Sequence, residues 1–187
     1  QEAALQFPFM PEFKAHEVVA LSRLGEYESI IQTATEGLGI VTDQFEAEAS
    51  LYINKILALY VTGQKEAAIQ LSKNVLQLPQ MQNPIVVFHL AWMNEYFDGN
   101  TSVIRDRFYN AQSAQKEDSQ TTAQLIAIKK NESFSLDAFH YQTWQDCLNA
   151  LYYFKKSNDK KSACDALRKA EDLMPYNPWI ATLYTCP

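Results

Sequence analysis

One short pattern recurs along this chain and constrains what it can become. It reads Leu21-Ser-Arg-Leu-Gly25-Glu-Tyr-Glu-Ser-Ile30, Leu59-Tyr-Val-Thr-Gly63-Gln-Lys-Glu-Ala-Ala68 and Glu95-Tyr-Phe-Asp-Gly99-Asn-Thr-Ser-Val-Ile104. A fourth copy, Phe154-Lys-Lys-Ser-Asn158-Asp-Lys-Lys-Ser-Ala163, carries Asn where the others carry Gly. In each, an amphipathic run stops at Gly or Asn and a second run begins with a small or aliphatic residue five positions later. Gly and Asn tolerate the left-handed backbone that closes a helix. The pattern therefore predicts helix–turn–helix units, and such units bury their apolar faces by stacking on one another.

The chain of 187 residues is 47% hydrophobic, enough for a sizeable core. It has only 5 glycines, and three sit in the turns above, which suits a helical chain. The net charge of −6 disfavours bulk attraction to nucleic acid or to anionic membranes. The charge is uneven: residues 1–118 carry −7 and residues 119–187 carry +1. The lysine pairs 129–130, 155–156 and 160–161 supply most of the positive side, either as solvated helix faces or as a docking surface for an acidic segment. No run approaches the length of a membrane span, so no membrane insertion is expected. No cleavable signal is visible. The start at Gln1 leaves open a trimmed chain, a domain of something longer, a cytoplasmic protein or a processed exported one.

Helical periodicity and end signals divide the chain into hairpins over about 12–37, 44–78, 84–115 and 136–174. A single domain over 1–187 is expected. The first helix places Val18, Val19, Leu21 and Leu24 on one side; its partner turns Ile30, Ile31 and Ala34 inward. Asp43 with Glu46 reads as a capping box for the next helix. That helix carries Leu51, Ile53, Ile56, Leu57, Leu59 and Tyr60 on more than one stripe, as expected for neighbours on two sides. Pro84 suits a first helical turn. The partner that follows in the third pair buries Val103, Ile104 and Phe108. Residues 116–120 read as a loop. The turn glycines are spaced by 38 and 36 residues, but Asn158 lies 59 beyond Gly99, which makes room for an extra helix over about 121–130 with Leu125, Ile126 and Ile128 apolar. A long helix over about 136–155 follows, and residues 178–185 read as a partial capping helix.

In the last pair Ala163, Leu167, Ala170 and Pro175 follow one another at intervals of four, three and five. This spacing resembles the second helix of a tetratricopeptide repeat: small, large apolar, small, then a terminating proline. Small residues let two helices approach, and proline ends the run. Ile104, Phe108 and Ala111 repeat the pattern without the proline; Ala68, Ser72 and Val75 repeat it with Pro79 one position early; Ile30, Ala34 and Gly37 repeat it weakly. The resemblance covers about residues 11–112 and 137–185. It implies an all-α, right-handed superhelix of antiparallel hairpins, a tetratricopeptide-like α-solenoid of about four hairpins plus the extra helix. In that family the first helix of each pair lines a concave groove. The implied groove residues are Arg23, Ile53, Leu57 and Tyr60, then His89, Met93, Tyr96 and Phe97, then Leu148, Tyr152, Lys155 and Lys156. Tyr60, His89, Met93, Tyr96, Phe97, Tyr152, Lys155 and Lys156 are the candidate peptide-binding set, aromatic and poor in acids.

Signs of chemistry are few. His16, His89 and His140 form no HxxxH or HExxH, so no metal site is expected. There is no phosphate loop, nucleophile elbow or dinucleotide fingerprint. Cys147, Cys164 and Cys186 form no CxxC, and their odd number argues against a disulfide framework. Cys147 and Cys164 would sit roughly 7 Å apart in height on adjacent helices. The three are read as small buried hydrophobes. The expectation is a non-enzymatic interaction module without a cofactor, an adaptor or complex subunit for a protein partner. The alternative is a regulatory or sensor domain of a larger chain, such as a bacterial transcription regulator, or an exported protein.

Overall fold

The computed structural model describes residues 10–40, 44–99, 101–112, 119–133, 135 and 139–186. Among these every regular element is a helix. They are α1 (Pro11–Leu24), α2 (Tyr27–Leu38), α3 (Phe45–Val61), α4 (Lys65–Val75), a 3₁₀ turn (Pro79–Met81), α5 (Pro84–Tyr96) and α6 (Ser102–Gln112). Then come α7 (Gln120–Lys130), α8 (Trp144–Lys156), α9 (Lys160–Leu173) and the short α10 (Pro178–Thr182). The chain divides into two compact units, Gln1–Ser22 with Glu26–Ser119, and Arg23–Gly25 with Gln120–Pro187.

The same hydrogen bond closes five helices. After each, an amide reaches back to the carbonyl five residues earlier: Glu26 to Leu21 at 3.0 Å, Gln64 to Leu59 at 2.8 Å, Gly99 to Asn94 at 2.7 Å, Glu132 to Ala127 at 3.0 Å and Asp159 to Phe154 at 2.9 Å. The residue just before each donor has the positive φ that this closure demands: Gly25 71°, Gly63 79°, Asp98 55°, Asn131 59° and Asn158 59°. Two expectations change. In the third turn the left-handed residue is Asp98, not Gly99. A further turn of the same kind, at Asn131, ends the extra helix inside the long interval before Asn158. Asn and Asp enter this conformation at lower cost than other side-chain-bearing residues.

Gly99 serves a different need. A Cβ there would lie 2.5 Å from Asn94 Oδ1 and 2.9 Å from the Tyr60 hydroxyl, so a hydrogen is all the space allows.

In the first unit α2 packs on α3, α3 on α4, α5 on α6, and across these pairs α3 packs on α5 and α4 on α6. Three neighbours around α3, namely α2, α4 and α5, explain why Ile56 to Tyr60 are all buried. α5 is enclosed further, with Val86, Val87, Phe88, Leu90, Ala91, Trp92, Met93, Asn94 and Glu95 buried. It starts as its sequence predicts: Pro84 opens the first turn and the Asn83 side chain accepts from the Ile85 amide at 2.9 Å. α1 is rotated from the expected face. Ala15, Val18 and Ser22 are inward, whereas Val19 and Leu24 are exposed. Val103 is likewise exposed, while Ile104 and Phe108 are fully buried.

In the second unit α8 packs on α7 and α9, and α10 packs on α9. Leu125, Ile126 and Ile128 are buried as expected, and so are Ala163, Leu167 and Ala170. The helix expected over 136–155 starts later, at Trp144. Thr143 and Asp146 form a full capping box, the Asp146 amide donating to Thr143 Oγ1 at 3.2 Å and the Thr143 amide to Asp146 Oδ2 at 3.1 Å. Residues 139–142 before it are not helical, and Tyr141 has a φ of 51°; residues 136–138 lie outside the described residues. The capping box expected at Asp43 and Glu46 also changes: Asp43 lies outside the described residues, and the N-cap of α3 is Gln44, whose side chain makes no capping bond. Most of the loop expected over 116–120 lies outside them too, and Gln120 already begins α7.

The reading of all three cysteines as unpaired hydrophobes is corrected. Cys164 and Cys186 form a disulfide, with Cα atoms 5.6 Å apart and a sequence separation of 22. The partner of Cys164 is not Cys147 but Cys186, which reaches it because the segment after α10 returns along the helices. Cys147 is free and buried.

The two kinds of glycine separate in unfolding experiments. Gly99→Ala forces the Asn94 and Tyr60 side chains apart, and we expect a loss of about 1–3 kcal/mol. Gly63→Ala, with nothing within 4 Å, meets only backbone strain and is expected to lose about 1 kcal/mol. Urea denaturation of both variants checks the order.

Candidate functional site

The candidate residues fall into two groups, one in each unit. In the first, the ends of α3 and α5 bring aromatic rings together. Tyr60 stacks on Phe97 with centroids 4.9 Å apart and planes 6° from parallel. Tyr96 meets Phe97 edge-on at 5.1 Å and stacks on Trp92 at 4.9 Å. Tyr60 and Met93 are buried; His89, Tyr96 and Phe97 are half-buried. Leu57 is buried and Ile53 half-buried, while Arg23, which belongs to the second unit, is exposed. Tyr60 and Met93 are thus covered, whereas Tyr96, Phe97 and His89 keep part of their surface open to solvent.

Beneath the rings is a polar pair that sequence reasoning did not find. The Asn94 side chain, 1% exposed, accepts from the Thr101 amide through Oδ1 at 3.2 Å, but its Nδ2 has no partner among the described residues. The Tyr60 hydroxyl also has none. Burial pushes the Tyr60 phenol up to about 12, so it stays protonated and keeps a proton to donate. Both groups are buried donors without acceptors, each a cost of about 1–3 kcal/mol. Next to them, Arg105 donates to Glu95 Oε1 through Nε at 2.8 Å and Nη2 at 2.7 Å, which satisfies a carboxylate only 4% exposed. An Asn and a Glu within the apolar run of α5 were the available signal; their partners on or before α6 were not.

In the second unit the residues of α8 are already engaged. Lys155 Nζ donates to the Leu183 carbonyl at 3.0 Å and sits 5.7 Å from the centre of the Tyr184 ring. Lys156 Nζ donates to the Ile128 carbonyl at 2.9 Å, at the C-terminal end of α7, where a cation is favoured. Tyr152 is half-buried, with Lys129 Nζ 5.6 Å from its ring centre. Leu148 is fully buried. Lys156 also borders a surface pocket of about 400 Å³, lined with it by Ile128, Asn131, Glu132, Tyr153 and Ser157.

The clamp between α7 and α8 was also missed. Asn149, fully buried, donates to the Thr121 carbonyl at 2.8 Å and to Gln124 Oε1 at 3.2 Å, and Thr121 Oγ1 donates to Asp146 at 2.7 Å. Cys147 lies beside this clamp. Burial first, then the Asp146 carboxylate, pushes its thiol up to about 11, so it is not a thiolate near neutral pH.

Among the described residues no three His, Cys, Asp or Glu side chains converge as a metal site would require. No described helix is long and apolar enough to cross a membrane. Set beside known proteins, the chain matches no family model, no curated protein and no solved structure.

Two outcomes follow from the first group. Tyr60→Phe deletes an unpaired hydroxyl and keeps the stacked ring; we expect stability unchanged or raised by up to about 1 kcal/mol, against a loss of about 3–5 kcal/mol for Tyr60→Ala. Thermal and urea unfolding read both. Burial also holds the His89 imidazole below its ordinary value of 6.5. The folded state then binds this proton less readily than the unfolded one. The His89 contribution is fully present above the unfolded value and is lost as pH falls from about 6.5 through the folded value. His89→Gln is expected to flatten the decline in stability between pH 7 and pH 5, measured as the difference from the parent protein.

Proposed function

We propose that this chain is a non-enzymatic, tetratricopeptide-like array of helical hairpins that binds a segment of a partner protein. The observation that carries this reading is the pairing in the first unit. α3 packs on α4 and α5 on α6, and across these pairs first helix packs on first and second on second. That is the contact pattern by which helical repeats stack. The buried Ala163, Leu167 and Ala170 support the same reading in the second unit, since small residues at these places permit close helix approach.

The half-buried Tyr96 and Phe97, with His89 about two turns away on α5, supply contact area that is held in place before a ligand arrives. Pre-ordered aromatic side chains lose little entropy on binding, which suits recognition of an adaptable segment. Tyr152, Lys155 and Lys156 form a second, cationic face for an acidic stretch. The raised thiol of Cys147 supports a role without nucleophilic chemistry. A processed exported chain is a second reading, favoured by the Cys164–Cys186 disulfide, because such bonds persist in oxidising compartments.

Affinity capture from the source cells, with quantitative mass spectrometry, tests the binding reading. We expect a stoichiometric partner whose recovery falls by about tenfold or more with Tyr96→Ala or Tyr152→Ala, as for anchor residues worth more than 1.4 kcal/mol. Circular dichroism establishes that the variants are folded. Folded variants that both retain every partner would refute it.

A further inference from the structure

The segment that follows α10 is held in an unusual way. α10 itself is fixed by burial: Ile180 is fully buried, and Trp179 meets Trp144 edge-on at 6.4 Å. The Leu183 amide still bonds to the Ile180 carbonyl, at 3.1 Å. Beyond that point the chain runs back over the end of α8. The Leu183 carbonyl accepts from Lys155, the Tyr184 ring lies beside the same ammonium, and Cys186 is bonded to Cys164 on α9. Lys155 is exposed. Hydrogen bonds and cation–π contacts of exposed lysines are weak in water and do not by themselves hold a segment down. The covalent bond does, by holding the weak contacts at high effective concentration.

We propose that residues 183–186 form a strap over the end of α8, latched by the Cys164–Cys186 disulfide, and that a dithiol reductant opens the latch and frees Lys155. The accessibilities suit attack at one sulfur. Cys164 is 6% exposed, whereas Cys186 is half-buried and open to solvent on one side. A thiolate of the reductant attacks Sγ of Cys186 and forms a mixed disulfide; the Cys164 sulfur leaves as a thiolate and takes a proton from water. The second thiol of the reductant then displaces the Cys186 sulfur. Two electrons pass to the protein, and the dithiol becomes a cyclic disulfide. Cys147, buried and protonated, takes no part. Because α10 keeps its own anchors, the change is confined to the strap.

Opening the latch releases from its contacts with the strap one of the residues assigned above to the cationic binding face, so that consequence rests on the binding reading. The latch itself does not, and it can be read without a partner. The full chain is purified without reductant, blocked with an alkylating reagent and weighed; one alkylatable cysteine after unfolding is expected. Oxidised and dithiothreitol-treated protein are then digested briefly with chymotrypsin, and cleavage after Leu183 and Tyr184 is followed by mass spectrometry. We expect cleavage there to accelerate about tenfold or more on reduction, as for a segment that no longer has to open against a cross-link. Cys186→Ser is expected to be cut at the faster rate with or without dithiothreitol, with the helical circular dichroism signal unchanged. Three alkylatable cysteines in the untreated protein, or equal cleavage rates before and after reduction, overturn the proposal. The reduced parent protein carries the test by itself if the variant does not fold.

Discussion

The helix closure in which an amide reaches back five residues is the interaction on which the rest depends. Each closure satisfies carbonyls that a helix end leaves unpaired, and it turns the chain off the helix axis at a single residue. α1, α3, α5, α7 and α8 all end this way, each at one residue with positive φ. A helix that ends with its polar groups satisfied can be followed at once by an antiparallel neighbour. That neighbour then supplies the apolar surface that covers the first helix.

The close fit of α3 against α5 shows what such stacking costs and what it permits. The two helices meet near Gly99, where only a hydrogen fits between Asn94 and Tyr60. Burial there leaves two donors without acceptors among the described residues and raises the Tyr60 phenol, yet the same approach stacks Tyr60 on Phe97 and orders the rings. The second unit solves the problem with polar bonds instead. Asn149, Thr121 and Asp146 fasten α7 to α8, and Lys156 satisfies the open end of α7. One unit thus presents ordered rings, and the other presents lysines that are already bonded within the chain.

Much of the helical organisation was legible. Pro84 behind Asn83, the inward Ile104 and Phe108, the helix over 120–130, and the small-large-small series at Ala163, Leu167 and Ala170 all stand where local chemistry puts them. On α1 the buried face is shifted from the expected one. Val19 and Leu24 were assigned inward, but one residue is about 100° of helix rotation, enough to exchange the buried face for the exposed one. Asp98 was passed over for Gly99 because glycine is the stronger left-handed signal; the closer need at Gly99 was for space. Of the candidate surface, its aromatic character was legible, but which rings form the floor and which the surface depends on neighbours far along the chain.

The sequence by itself determined that the chain is helical and where its helices turn, because caps, prolines and left-handed residues act within a few positions of themselves. Only the tertiary structure decided the rest. It showed that Asn94 and Asn149 are buried and that Lys155 donates to the Leu183 carbonyl. It also paired Cys186 with Cys164 against the count of three. These are relations between residues brought together by packing, and spacing along the chain carries no record of them.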